Sequence, residues 1–330
     1  MYTFEILLLA VATAVMYFIN KFTYFIFLLS IIYSYKHVKA PYVLIPLLKV
    51  QNLRTKYNAK WAIVTGASSG IGECISRKLA EQQISVVLVS NDEARLQAVA
   101  SDLKTLYKVD TRIVVVDLRE NNDVLLREVR KATDDIDVQL VFNNAGYIAM
   151  EGFHQSTVES KLDNLNCNAI NAIRLTDHFY KRMLHSKQRG AIVFTSSSAS
   201  VCPSPYSVMY SAGKALLTSF AESLSIESRQ HGIDILAIQP GYVRTKIFDP
   251  LPKLALLNFL RLVAQEPVDV VNIMFKCVGR LGMTVVDSGF FAFLSKMARI
   301  FLGGNLMTVI IAFIVNHLMK DMEQYRIIKI

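Results

Sequence analysis

An apolar run followed at once by a glycine-rich turn leaves this chain few folds to choose from. Residues 61–65 (WAIVT) lead directly into 66–72 (GASSGIG). The first stretch has the length and composition of a buried strand, and an amphipathic helical pattern begins at about residue 71. Glycine at such a junction lets the chain turn tightly and lets backbone approach a phosphate, which then meets the amide groups of the helix N-terminus. The spacing is G-x-x-x-G-x-G rather than the commoner G-x-G-x-x-G. Gly66, Ser68, Ser69, Gly70, Ile71 and Gly72 are the candidate contacts. Many strand-to-helix turns use glycine for geometry alone, so the rest of the chain must decide.

The same alternation continues. Strands are expected at 61–65, 84–89, 111–116, 138–142, 190–195 and 233–238, with helical segments such as 71–82, 92–106 and a long one over 158–184. Continuous β-branched runs separated by helices imply a parallel sheet covered on both faces. The fold class is therefore α/β, a doubly wound parallel sheet that binds ligands beyond the carboxyl ends of its strands. After Pro240 and Gly241 the regularity loosens. A loop with helices is expected over 246–264, a helix from Glu266-Pro267 and an edge strand at 284–286.

Two further groups stand at successive strand ends. Asp117 ends the third strand, where a carboxylate can meet an adenine amino group. Asn144, Ala145 and Gly146 end the fourth, where they can pack under a cofactor and tie strands together. Farther along, Tyr210 and Lys214 share one face of a helix at i, i+4. A free tyrosine titrates near 10, and bringing it near neutrality takes roughly 4 kcal/mol of preferential phenolate stabilisation. The Lys214 ammonium is the expected source. The pair alone would read as an ordinary surface spacing. Ser197, thirteen residues before Tyr210 at a strand end, changes that reading, with Ser196 and Ser198 as neighbours that leave its register open.

T-G-A-S-S-G-I-G, N-N-A-G, Y-x-x-x-K and P-G-x-V-x-T, in this order, resemble the short-chain dehydrogenase/reductase family over residues 58–245. The resemblance implies a Rossmann-type sheet of about seven strands and, commonly, dimers or tetramers. It implies that Ser197 orients a carbonyl, that Tyr210 transfers the proton, and that Asn168 holds a water linking Lys214 to solvent. Asn166 and Asn171 flank Asn168 as alternatives. It further implies that Pro240, Gly241, Val243 and Thr245 cradle a nicotinamide carboxamide. No carboxylate ends the second strand, where Ser90 and Asn91 stand, so NADP(H) is favoured over NAD(H). Ser68, Ser90 and Asn91 can donate to a 2′-phosphate, whereas Asp92 and Glu93 would oppose it.

Within the family the chain is most similar to the microsomal 3-oxoacyl-CoA reductases and 17β-hydroxysteroid dehydrogenases, although it carries N-N-A-G where those often have N-N-V-G. A lipid-like substrate (a 3-oxoacyl-CoA, a steroid or a retinoid) is the expectation. The other class is a catalytically silent fold that binds lipid or protein, which an altered Ser197, Tyr210 or Lys214 would have favoured.

The ends speak of membrane. Residues 6–35 are apolar apart from Asn20 and Lys21. As one helix they would be roughly 45 Å long, beyond a hydrocarbon core of about 30 Å. A single span over 15–35 with Lys21 near an interface, or a hairpin turning at Asn20-Lys21, are the two solutions. Glu5 is the lone charge ahead of the run and no A-x-A site follows it, so an anchor is expected rather than a cleaved signal. Six of the basic residues lie between Lys36 and Lys60 with no acidic one among them, which leaves only +3 of the net +9 for positions 61–330. That placement fits the positive-inside rule and a catalytic part facing the cytosol, and the resemblance to the microsomal enzymes implies the endoplasmic reticulum. It also argues against nucleic acid as the partner. The expected organisation is an anchor (1–40), a basic linker (41–57), a catalytic domain (58–289) and an apolar helical tail (290–330). In the tail the apolar core of about 14 residues is short for a span, so an interfacial helix or a channel wall is expected. Cys74, Cys167, Cys202 and Cys277 show no metal-ligand spacing and read as free thiols.

Overall fold

The computed structural model describes residues 16–17, 21–24, 44–120, 123–251 and 260–318. The expected N-terminal anchor, apart from 16–17 and 21–24, lies outside the described residues, as do 252–259 of the loop and the last tail residues. Two compact units are present, Met1–Lys49 and Val50–Ile330. In the first, Ile45–Leu47 forms one helical turn.

The second unit is built on seven parallel strands: β1 (Trp61–Thr65), β2 (Ser85–Ser90), β3 (Thr111–Val115), β4 (Val138–Asn143), β5 (Gly190–Thr195), β6 (Ile233–Pro240) and β7 (Val285–Ser288). Their order is β3-β2-β1-β4-β5-β6-β7. β1 pairs with β2 on one side (Ile63 opposite Val87) and with β4 on the other (Ile63 opposite Val141). The chain thus winds outward in opposite directions from β1 and β4, which opens a crevice at their carboxyl ends. The helices are α1 (Leu53–Tyr57), α2 (Gly70–Glu81), α3 (Glu93–Tyr107), α4 (Val124–Thr133), α5 (Val158–Leu165), α6 (Asn171–His185), α7 (Val208–Ser228), α8 (Pro267–Cys277) and α9 (Phe290–Phe313).

The absence of polar alternation in the strands has its cause here, because helices cover both faces. Val86, Val87, Leu88 and Val89 are all fully buried. Phe179 and Met183 of α6 and Leu217 and Ala221 of α7 pack with Ile192, Phe194 and Ile235 of the sheet. Each such apolar side chain contributes about 1.5–3 kcal/mol, whereas an exposed ion pair such as Lys181–Asp177 contributes under about 1 kcal/mol. Apolar burial, not surface charge, holds the site in place.

Three elements differ from the sequence expectation. The long helix over 158–184 is broken by a π turn, Asn166–Ile170, between α5 and α6. Neighbouring backbone explains the break. Asn166 Nδ2 donates to Arg119 O (3.0 Å), and Asn171 Nδ2 donates to Leu118 O (2.8 Å) and Glu120 O (3.1 Å). Such bulges recur at functional sites. Next, part of the expected basic linker is core. Leu53 and Tyr57 of α1 are buried, and Lys56 Nζ donates to Gln51 Oε1, Val278 O and Gly279 O. Finally, α9 is bent. Gly303 has φ 70° and ψ 169°, and a second π turn extends the element through Leu318.

By length and composition Phe290–His317 is apolar enough to cross a membrane. The packing divides it. Before the kink, Ala292 and Ser295 are buried and Lys296 Nζ meets the buried Asp287 carboxylate at 2.6 Å. After it, Leu306, Val309 and Phe313 are exposed.

Candidate active site

At the crevice, Gly66 (φ +64°) and Gly70 (φ +57°) occupy left-handed backbone. Gly72 is required for space: a Cβ there would lie 2.1 Å from Gly66 O and 2.7 Å from Asn144 Nδ2. Thr65 Oγ1 accepts the N–H groups of Asn144 (2.9 Å) and Ala145 (3.0 Å). Asn144 Nδ2 donates to Thr65 O (3.1 Å), and Thr195 Oγ1 donates to Asn144 Oδ1 (3.0 Å). One asparagine therefore laces β1, β4 and β5. Ser69 stands at the N-cap of α2 without capping it through its side chain, so the first amide donors of that helix are left for an anion.

At the end of β2, Ser68 Oγ and Ser90 Oγ share a hydrogen bond of 2.9 Å. The Asp92 carboxylate caps α3 by accepting from Arg95 N (3.1 Å) and pairs with Arg95 Nε at 3.2 Å. Asp117 lies two residues beyond β3. Both of its oxygens are held by Arg119, which keeps the carboxyl below the usual aspartate range. Arg95 and Arg119 were not singled out in the sequence, where nothing but their short spacing to Asp92 and Asp117 marks them.

At the chemical end, Tyr210 and Lys214 lie one turn apart on α7 and are both buried. Lys214 Nζ donates to Thr195 O (2.9 Å) and stands 5.7 Å from the centre of the Tyr210 ring. The Tyr210 phenol lies beside Ser197, whose Oγ accepts from Ala199 N (3.1 Å). Ser196 turns instead to α7, donating to Lys214 O at 2.8 Å. Asn168, in the π turn, directs Nδ2 to Tyr147 O (2.9 Å). Its buried Oδ1 has no protein partner among the described residues and borders Gly146, where a Cβ would lie 2.5 Å from it and 3.0 Å from Lys214 Nζ. The Asn166 and Asn171 amides are spent on the backbone beyond β3, so Asn168 alone of the three faces the lysine.

The expected electrostatics of the pair need correction. Burial raises the Tyr210 phenol above its ordinary value, and the hydrogen bond from Ser197 pulls it back only in part. Burial also brings Lys214 down to about 8, with Cys167 opposing. Desolvation disfavours the charged form of both groups, and the two shifts move their proton affinities apart, the phenol up and the ammonium down, rather than pulling a phenolate into existence.

Every residue expected at the site except Gly72 and Asn168 lines one cleft of about 550 Å³. Gly72 lies under the turn and Asn168 behind Gly146. A larger groove of about 870 Å³ runs past Ser68, Arg77 and Phe248, but it includes none of Ser197, Tyr210 and Lys214. The chemistry belongs to the smaller space. Its positive-φ glycines, uncapped helix end and orphaned Asn168 oxygen fit a nicotinamide dinucleotide.

The family model for short chain dehydrogenase matches residues 60–254. The chain belongs to that family. A human relative, "Inactive hydroxysteroid dehydrogenase-like protein 1", is 34% identical over 197 residues, 59% of each chain. The match thus spans about three fifths of that relative's length. "Very-long-chain 3-oxoacyl-CoA reductase" of Anas platyrhynchos is 31% identical over 57% of this chain and 61% of its own. Among solved structures, a short-chain dehydrogenase from Sphingobium yanoikuyae in complex with NADPH is 27% identical, with a TM-score of 0.59, over 69% of this chain and 87% of that one.

The close approach at Gly72 requires the glycine turn to stay compact, which gives a direct test. Gly72→Ala forces a methyl against the Gly66 carbonyl, a backbone clash that costs about 1–3 kcal/mol or opens the turn. The variant is expected to bind a nicotinamide dinucleotide at least about tenfold more weakly, since 1.4 kcal/mol is a factor of ten in affinity. Equilibrium titration of cofactor fluorescence measures it, and an unchanged Kd would mean the turn does not touch the dinucleotide.

Proposed function

We propose that this short chain dehydrogenase is an NADPH-dependent reductase that turns a carbonyl into a secondary alcohol on a lipid-like substrate such as a 3-oxoacyl-CoA, a steroid or a retinoid. The observation that carries the reading is the convergence of Ser197, Tyr210 and Lys214 at one end of a cleft whose other end is the glycine turn. When bound, the nicotinamide supplies the hydride. The chain's own residues handle position and the proton. Ser197 Oγ accepts from Ala199 N, and its O–H, beside the Tyr210 phenol, can turn to orient the substrate oxygen. Tyr210 stays protonated near neutrality because burial raises it, as suits a donor to the oxygen that gains charge. Lys214 Nζ, brought to about 8, is matched to restore that proton, and Asn168 Oδ1 offers an acceptor to a water on the way to solvent.

NADPH rather than NADH is supported by Ser68 and Ser90 at the end of β2 and by the pairing of Asp92 with Arg95. That pairing removes much of the opposition to a 2′-phosphate expected from the acidic side chain. The lipid-like substrate is supported by the name of the 3-oxoacyl-CoA reductase relative and by the course of α9. That helix starts against Gly241, whose Cβ would lie 3.1 Å from Ala292 N, and then exposes Phe301, Leu306, Val309 and Phe313. An apolar surface leaving the rim of the cleft suits delivery from a membrane. With the basic segment 36–60, the reading places the chain on the cytosolic face of the endoplasmic reticulum.

A silent lipid- or protein-binding fold is the second reading, favoured by the human relative's name. NADPH oxidation by purified protein with 3-oxoacyl-CoA, steroid and retinal panels separates the two. Turnover with one of them is expected, and tight NADPH binding with no turnover on any would favour the silent fold. In the same preparation the full-length chain is expected to stay with membranes in alkaline carbonate.

A further inference from the structure

Asn164 was not among the residues expected at the site. It lies four residues before Asn168, on the last turn of α5, and is buried. Asn168 Nδ2 has two hydrogens and three oxygens around it: Tyr147 O at 2.9 Å, Asn164 O at 3.0 Å and Asn164 Oδ1 at 3.1 Å. Asn164 Nδ2 in turn donates to Tyr147 O at 3.3 Å. The two amides are interlocked. Turning Asn168 over would set its oxygen against two backbone carbonyls, and Asn164 could follow only by giving up its own bond to Tyr147. What the lock leaves outward is Asn168 Oδ1, buried, without a protein partner among the described residues and facing the space between Gly146 and Lys214 Nζ.

Asn164 also borders a separate cavity of about 20 Å³ that reaches Tyr206 and Tyr210. That is room for about one water. With the Asn164 side chain cut back, water in this cavity gains access to Asn168 Nδ2 and competes for it. The carbonyl oxygen then loses its fixed direction. An NH2 group turned toward Lys214 would disfavour the ammonium, where the carbonyl oxygen's negative end favours it.

We infer that Asn164 is a positioning residue, fixing the Asn168 amide so that its oxygen and not its NH2 group faces Lys214. The inference rests on the reading of Lys214 and Asn168 as the proton-handling end of the site.

Full-length protein labelled with ¹⁵N-asparagine tests it, with the Asn168 side-chain signal assigned by its loss in Asn168→Asp. In the wild type those NH2 protons are expected to exchange slowly with solvent. In Asn164→Ala they should exchange about tenfold faster or more, as for a bond opened to water. The basic limb of the kcat–pH profile for NADPH-dependent reduction should move to lower pH by about half a unit or more, since the ammonium then faces NH2 hydrogens in place of a carbonyl oxygen. NADPH affinity should stay within about twofold, because Asn164 does not line the dinucleotide cleft. A merely structural loss would lower stability and leave the limb in place. Should Asn164→Ala not fold, Asn164→Ser, with its shorter side chain, carries the same expectations. Unchanged exchange and an unchanged limb in a folded, NADPH-binding variant would overturn the inference. A wild type that turns over nothing sinks the reductase reading alone. In that case faster Asn168 exchange in the variant still supports the lock, and unchanged exchange refutes it.

Discussion

Tyr210→Phe is expected to bind NADPH as the wild type does and to reduce its substrate about a thousandfold more slowly. The phenol hydroxyl lies beside Ser197, and general acid catalysis by a positioned side chain is worth about 10²–10⁴ in rate. Phenylalanine keeps the ring and therefore the packing of a nearly buried residue. Ser197 keeps its bond from Ala199, so the substrate oxygen still finds an orienting hydroxyl. The loss should fall on kcat and not on KM, as when an interaction made in the transition state is removed. Single-turnover kinetics at saturating NADPH measure it. A variant within about threefold of the wild type would mean that the proton comes from elsewhere, with Ser197 the first candidate.

Much of this site was legible because its parts sit at strand ends, where local sequence carries the geometry. The unbroken apolar runs of β1, β2, β4 and β5 require cover on both faces, and that requirement alone implies helices between parallel strands. Gly66, Gly70 and Gly72 were legible for a similar reason, since a left-handed turn and a 2.1 Å approach exclude a side chain. Ser197, Tyr210 and Lys214 could be assembled from spacing only once the order of motifs fixed the fold.

What was not legible depends on distant backbone. No glycine or proline marks the π turn at Asn166–Ile170, because what opens it is the carbonyl row at 118–120 drawing in Asn166 and Asn171. A cluster of four asparagines in eight residues, poor helix formers in a helical segment, was the available signal. Arg119 on Asp117 and Arg95 on Asp92 are exposed pairs that composition does not single out. The Tyr210–Lys214 electrostatics went the other way from expectation because spacing reports proximity but not burial. Once both groups are dry, desolvation outweighs the attraction that an exposed pair would show.

That burial leads to the second large effect. Lys214→Met is expected to abolish measurable reduction and yet to leave a protein more stable than the wild type at pH 7. Burial brings Lys214 from 10.5 to about 8, so the folded chain holds this proton less tightly than the unfolded chain does. Between pH 8 and 10.5 the unfolded state carries a proton that the folded state lacks, and stability rises with pH across that window. Below about pH 8 both states are protonated and the whole cost is present. A depression of this size corresponds to roughly 3 kcal/mol, at about 1.4 kcal/mol per unit. Methionine removes the charge and keeps most of the stem in place. It loses the bond from Nζ to Thr195 O, worth about 1 kcal/mol. The balance is a gain of about 1–2 kcal/mol at pH 7, or several degrees in Tm, which fades as pH approaches 10.5. Thermal denaturation of both proteins in the same detergent at pH 7 and pH 10 measures the difference. A Lys214→Met protein that melts well below the wild type at pH 7 would show that the ammonium is a structural tie to β5. A stable but inactive one would mark it as a charge retained for chemistry at the expense of the fold.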